Sequence, residues 1–527
     1  MPWVSAIVLL PLLGALSMLA VPPGGDTQAR IHALIAAVGT AVLMAILVFK
    51  FDRGSGEMQF VDHHDWADQI GLAWNVGVDG ISLWLLALTA GMFLLGIIAA
   101  CWRLPNRGRS YLAMLLLAET GLLGLFAAGD LVLFYVFWEA MLVPFYLLIG
   151  FWGNADRREA AVRFVIYTMF GSLLMLVAIL ATGFLARDIT GQFTFNIQDL
   201  QGVAFTDTQS TWLFATFALA FAIKLPLFPF HGWLPRAYSA APIVVTALLA
   251  AVMSKAGVYG FMRVGVPLFP EGADRLAIPI GVLAVMGIIY ASLLAWRAPT
   301  MRLLVAYSSI AHLGFIAMAV VAFDLQASQG AVLQMVNHGI IVAAAFTIVA
   351  IINRAGGDDG IDDLGGLAHG APRLAAVFLI VAMASLAIPG SNSFAGEFLL
   401  LTGVFRQHAW LATIATLGII YAAVYMLRLY QKSMNGPPHG GRGIDAELRL
   451  RDYVVLLPIV AAMFVIALWP HSIVGATTRT LERAISPAQV AADRPADQIR
   501  ARITPNPPAY AQPLPGDPAP QNQEPTP

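Results

Sequence analysis

The chain has 527 residues, of which 59% are hydrophobic and 12% are Asp, Glu, Lys or Arg, with a net charge of −1 and a single cysteine, Cys101. Soluble domains carry roughly 25% charged residues, so a soluble α/β enzyme, a disordered chain and a nucleic-acid binder are excluded. One thiol builds neither a disulfide framework nor a thiolate zinc or iron–sulfur cluster. What remains is a polytopic membrane protein.

A bilayer-spanning helix needs about 20 mostly apolar residues. In chain order, such runs are predicted at about 3–21, 31–49, 80–101, 111–128, 131–151, 164–186, 212–230, 243–265, 277–296, 302–323, 331–352, 374–404, 409–430 and 454–474, fourteen in all. The first, MPWVSAIVLLPLLGAL, lacks the positive flank and cleavage site of a secretory signal and reads as a retained helix. The last stretch differs in kind. Ten prolines fall in the 33 residues from Pro495 to Pro527, too little apolar surface to order itself, so a disordered or polyproline-like tail is expected over 487–527. A docking peptide for a partner is the alternative reading of that tail.

Numbering the connections in order, the odd ones hold sixteen Arg and Lys residues (Arg103, Arg107 and Arg109 in one, Arg157, Arg158 and Arg163 in the next) and the even ones six. Positive residues mark the cytoplasmic side. The odd connections are therefore expected inside, in a bacterial inner membrane, and both termini outside. The acidic connection carrying Asp52, Glu57, Asp62, Asp65 and Asp68 falls on the outer side in this scheme.

Few ionisable residues lie within the runs, and an intramembrane charge costs about 2.5–3.5 kcal/mol on the insertion scale. Each is kept where it pairs, meets water or does a job. Glu139, nine residues into LVLFYVFWEAMLVPFYLLIG, is either a neutral carboxyl bonded to a neighbouring helix or a proton switch. Lys224 precedes Pro226 and Pro229 in FAIKLPLFPFHGWLP, where lost backbone bonds predict a helix broken inside the membrane. A lysine there either snorkels or exchanges a proton with water. Lys255 lies mid-run in TALLAAVMSKAGVYGF, and Glu397 follows a second break at Pro389-Gly390 in a run too long for one straight span. His312 and His338 read equally as packed core histidines or as a proton relay. Glu119 is a further midspan acid, a structural partner or a channel member. Asp79 reads as an N-cap or interface residue. Arg428 is the remaining base within a run.

The pairs Glu139/His312, Lys224/Glu397 and Lys255/Arg428 are each 173 positions apart, an offset of five segments. Five segments reverse the orientation, which suggests two inverted repeats, 111–265 and 277–430, after three N-terminal helices in 1–110 and before a last helix at 454–474. The expected fold class is thus all-α, with about fourteen transmembrane helices and discontinuous helices at segments seven and twelve.

FYVFWEAMLVPFYLLIG, KLPLFPFHGWLP and the SK of segment eight resemble the antiporter-like subunits of proton-pumping NADH:quinone oxidoreductase, complex I, a superfamily that includes Mrp-type Na⁺/H⁺ antiporter subunits. Over about residues 70–475 the chain looks most like the subunit M type, the counterpart of mitochondrial chain 4, because FAGEF places Glu397 where the sister subunits usually have lysine. The resemblance implies Glu139 and Lys224 as a charge pair, Lys255 as central relay, Glu397 as terminal carrier, and His312 and His338 as links. It also implies L- and N-type membrane subunits as partners, with NADH, FMN, iron–sulfur clusters and quinone held elsewhere in the complex, and no cofactor or metal in this chain. Where the family commonly has an acid and a histidine after HGWLP, this chain has Arg236 and Tyr238, so no role is carried onto those positions. Two other functions fit the same residues: Na⁺/H⁺ exchange of the Mrp type, and a structural subunit whose charges only lock helices together.

Overall fold

A computed structural model describes residues 2–67, 71–355, 359–437 and 446–493. Asp68, Arg442 and the proline-rich stretch from residue 494 onward lie outside the described residues. Twelve helices among the described residues are long and apolar enough to cross a membrane, from Trp3–Ala20 to Leu450–Leu468. The two expected segments missing from that set are the two broken ones. The first descends as Asp207–Lys224, unwinds over Leu225–Pro229, and resumes through Phe230–Trp233 into Leu234–Ala240. The second is split into Pro372–Ser385 and Asn392–Gln407. Each break contains a residue with positive φ, Pro226 at 29° and Ala387 at 49°. With the twelve candidate spans, these two broken segments account for the fourteen apolar runs among the described residues.

The ends of the helices sort onto two faces. On one face Asn154 donates to the Ala240 carbonyl and Thr300 bridges Gly360, while Arg354 pairs with Asp452. These are all odd connections. On the other, Asp130 bridges Asn196 and Arg275 pairs with Asp207.

Three features depart from the sequence reading. The acidic connection is a two-stranded antiparallel hairpin, Gln59–Ala67 with Leu72–Val78, rather than a loop, so the fold is not helical throughout. The hairpin is tied down by Ser5, whose amide donates to Asp62 and whose hydroxyl accepts from the Trp74 indole. Second, the last span ends at Leu468. The expected run to 474 crosses Trp469 and Pro470, where a separate helix, His471–Ala492, begins. The tail expected from 487 is therefore helical as far as Ala492. This helix is amphipathic: it buries Ile473, Ala476, Thr480, Leu481 and Ile485 and leaves Arg479 and Arg483 outward. It lies across the even-connection face, where Thr480 accepts from the Gly80 amide and Gln489 donates to the Phe323 carbonyl. Gly80 is required there, since a Cβ would stand 2.1 Å from the Ala476 carbonyl oxygen.

The third departure is inside the membrane. Segment eight is not one helix. It runs Ile243–Ala251, tightens over Met253–Lys255, resumes at Ala256–Gly260 and widens into a π-turn at Phe261–Gly265. No proline marks this distortion. The 173-residue offset also does not translate into equivalent places. The breaks are 161 residues apart (387 − 226), and Lys224 ends the half-helix before its break whereas Glu397 lies in the half-helix after its own.

Candidate functional site

The distortion at Val252, whose φ and ψ are −121° and −57°, turns the Lys255 amide to the Val252 carbonyl instead of one four residues back. Carbonyls are thereby released at membrane depth, where they need partners. The Lys255 side chain, fully buried, answers this: its Nζ donates to the Ala250 carbonyl at 2.5 Å and to Ser254 Oγ at 3.1 Å. Its third contact is His338 Nδ1, at 2.8 Å from the neighbouring Leu325–Arg354 helix. An ammonium only donates, so with Lys255 charged the Nδ1 of His338 accepts and the ring proton sits on Nε2.

From His338 the polar line continues. Its ring centroid lies 5.7 Å from that of His312, on the Met301–Val320 helix. His312 Nδ1 stands 3.2 Å from Glu397 Oε1, close but off the axis of a good hydrogen bond, and both ring nitrogens of His312 lack a bonded partner. Glu397 accepts from Gln334 Nε2 at 2.9 Å, and Asn337 and Asn392 exchange bonds beside it. A cavity of about 30 Å³ lies along this line, where Ser308, His312, Gln334, His338 and Ser393 share the wall with a larger set of apolar side chains such as Val305, Ile341 and Met426. A water needs ~10–15 Å³ of such space, so the cavity has room for one or two between the imidazoles and the second break. Four predicted residues, Lys255, His338, His312 and Glu397, thus form one buried series.

Glu139 and Lys224 are arranged differently. These two residues, expected as a charge pair, make no direct hydrogen bond. Lys224 Nζ is buried without a hydrogen-bond partner and stands 5.0 Å from the centroid of the Trp138 ring, with Glu139 acting on its charge at longer range. Glu139 lies beside the kink at Met141 that divides its span into Leu131–Ala140 and Leu142–Trp152, and its Oε1 is buried and unpartnered. The Lys224 and Lys255 segments touch through backbone. A Cβ on Gly257 would lie 2.5 Å from the Phe221 carbonyl oxygen and 2.8 Å from the Leu225 nitrogen.

Glu119 is fully buried with both carboxyl oxygens without a hydrogen-bond partner. Arg428 reaches the Trp296 carbonyl at a helix end, away from the buried line. Asp79 is an N-cap, accepting from the Ile81 and Ser82 amides, and also pairs with Arg263 at 2.5 Å. Among the described residues no group of three or more His, Cys, Asp or Glu is placed to hold a metal. Sequence reasoning missed Trp138, Ser254, Gln334, Asn337 and Asn392. A signal for part of that set existed in QMVNH, where Gln334, Asn337 and His338 share one face of an otherwise apolar helix at spacings of three and four.

The profile of the family described as NADH:quinone oxidoreductase/Mrp antiporter, TM, matches residues 128–421, which take in both broken helices and every member of the buried series. The NADH-quinone oxidoreductase subunit M of Rhodobacter capsulatus is 37% identical over 478 residues, covering 88% of this chain and 93% of that relative. The chain belongs to the NADH-quinone oxidoreductase subunit M family. A chain of respiratory complex I from Thermus thermophilus superposes with a TM-score of 0.83 at 32% identity, covering 93% of this chain and 99% of that one. A chain of the Mrp complex from Dietzia superposes at 0.79 with 22% identity, over 93% and 100% of the two chains, a likeness of fold alone. Membership in the subunit M family makes this a multi-pass membrane subunit of an oxidoreductase complex, and the resemblance drawn from the sequence motifs agrees with it.

Proposed function

We propose that the chain carries protons across a bacterial inner membrane through Lys255, His338, His312 and Glu397, with Glu139 and Lys224 setting the charge at the start of the path. It does so as a subunit of an NADH-quinone oxidoreductase whose NADH, FMN, iron–sulfur clusters and quinone are held by other subunits, the L and N types of membrane subunit among its partners. The odd, arginine-bearing connections face the cytoplasm and both termini face outward.

The contact between Lys255 and His338 carries this reading. A lysine held only by a carbonyl, a hydroxyl and an imidazole has no carboxylate to fix its proton, and its one titratable neighbour can take that proton through Nδ1 and release another from Nε2. A charge lock between helices would place an acid there instead. The separation of Lys224 from Glu139 fits a switch, because two unit charges brought to about 4 Å interact by about 4 kcal/mol at an effective dielectric near 20, and that energy is gained or lost as the gap closes or opens. Exchange of Na⁺ for H⁺ draws support from the shared family profile, whose description also names the Mrp antiporter, and from likeness of fold, whereas the 37% identical relative is named as an oxidoreductase subunit.

The test is proton uptake per NADH oxidised by the intact complex in sealed vesicles, at matched complex levels. Glu139→Gln and Lys255→Met are expected to assemble and to lose most proton coupling. Unchanged coupling in both variants overturns the proposal, as does coupling that follows Na⁺ in place of H⁺.

A further inference from the structure

A groove runs into the bundle from the odd-connection face, between the Gly80–Trp102, Ile243–Ala251, Leu325–Arg354 and Leu450–Leu468 helices. It has two joined parts, a mouth of about 280 Å³ and a deeper slot of about 70 Å³, which share Ala99, Thr347 and Val455 as walls. The lining is apolar below and basic above. Alanines at 99, 247 and 350 keep the slot open, while Trp102, Arg103, Arg354 and Arg451 rim the mouth.

The depth matters. From Arg354 at the mouth to Ala343 in the slot is eleven helical residues, or about 16 Å at 1.5 Å each. That is one leaflet of a hydrocarbon core about 30 Å thick. A groove about one leaflet deep that opens at the odd-connection face has the length of a single acyl chain.

The rim supplies the headgroup chemistry. Of its charges, Asp452 is fully engaged: its two carboxylate oxygens take both terminal nitrogens of Arg354, and one also accepts from the Arg449 amide. Arg451 is left with a buried Nε that has no partner, and Arg103 is exposed at the rim. The buried Nε of Arg451 needs an acceptor, exposed Arg103 adds a second positive charge at the mouth, and phosphate oxygens match a guanidinium fork. We infer that this groove is a binding site for an anionic phospholipid, one acyl chain lying along Ala99, Thr347 and Val455 and the phosphate held between Arg103 and Arg451. A neutral quinone or a zwitterionic lipid would leave the excess positive charge uncompensated.

The test uses the intact complex in detergent and a phosphatidylglycerol carrying a photoactivatable group near the end of one acyl chain, with labelled peptides mapped by mass spectrometry. Labelling is expected on peptides that contain Ala99, Thr347 or Val455, and a phosphatidylcholine with the same acyl chain should label them roughly tenfold less, the factor for about 1.4 kcal/mol. Arg103→Gln combined with Arg451→Gln should remove the headgroup preference. Ala350→Phe, which fills the slot and keeps both arginines, should abolish labelling, so the inference stays testable if the double variant does not assemble. Equal labelling by the two lipids, or labelling that survives Ala350→Phe, overturns it. So does exclusive labelling of another subunit, which would mean a protein segment covers the groove.

Discussion

Arg263 and Asp79, 184 residues apart, join the π-turn of segment eight to the first turn of the third span through a 2.5 Å ion pair, with side-chain exposures of 10% and 2%. Removing one partner of a buried pair strands the other charge and costs about 3–5 kcal/mol, whereas replacing both is far cheaper. Asp79→Asn keeps the cap on the Ile81 and Ser82 amides, so its cost isolates the stranded Arg263. We expect Asp79→Asn and Arg263→Met each to lower the melting temperature of the complex, and the double variant to recover much of the loss. Additive losses would show that the pair is not coupled.

Lys255 holds three contacts of different kinds, and their removal should be graded. Lys255→Met is expected to eliminate proton coupling. Ser254→Ala removes two hydrogen bonds, the one its hydroxyl accepts from Lys255 Nζ and the one it donates to the Ala250 carbonyl, and should lower coupling by less than Lys255→Met does. Vesicle acidification driven by NADH measures both. A Ser254→Ala defect as large as that of Lys255→Met would mean that the hydroxyl is itself an obligatory carrier.

Gly257 sets the distance between the Lys224 and Lys255 segments. Gly257→Ala places a methyl 2.5 Å from the Phe221 carbonyl oxygen, and the backbones must move apart. Overpacking of this kind costs about 1–3 kcal/mol, so a lowered melting temperature and weaker coupling are expected. Gly91→Ala, with nothing within 4 Å of the added Cβ, is the matched control and should change neither.

Asp130 lies in the connection before Leu131–Ala140 and caps that helix, accepting from the Val132 and Leu133 amides. Burial pushes its carboxyl up to about 6, against the pull of those two amides. A carboxyl whose folded value is raised contributes stability below the unfolded value near 3.9 and loses it as pH rises to about 6. Asp130→Asn keeps an acceptor without the charge and should match or exceed wild-type stability at pH 7 to 8. Asp130→Ala loses the cap, about 1 kcal/mol where wild-type Asp130 is protonated, and having nothing to ionise should see that deficit shrink as pH rises through about 6, which thermal melts at pH 4 to 8 would show.

Much of the architecture is legible in hydropathy alone, because a bilayer forces every span to be a closed helix of about 20 apolar residues. Pro226 and Pro389 announce the two broken helices for the same reason, since proline has no amide to give to a helix. The ionisable residues Lys255, His312, His338 and Glu397 stand out from their apolar surroundings, and the fold gathers them. What the sequence conceals is whatever depends on distance. Nothing in it tells that Trp138 stands beside Lys224, or that both carboxyl oxygens of Glu119 lack a hydrogen-bond partner. The hairpin at 59–78 is hidden by its polar, weakly alternating residues, and the helix at 471–492 by small residues that bury little surface each.

The distortion at Val252 is made without proline, and this sets it apart from the break at Pro226. Where a pyrrolidine sits, the missing amide hydrogen can never be restored. Met253, Ser254 and Lys255 keep theirs, so this stretch retains every donor needed to rewind into ordinary α spacing. Rewinding would draw the Ala250 and Ala251 carbonyls back into the helix and take from Lys255 its nearest acceptor. That one oxygen thus has rival claimants, the backbone on one side and the Lys255 cation with the Ser254 hydroxyl on the other, and whichever holds it decides whether the lysine is at home or adrift.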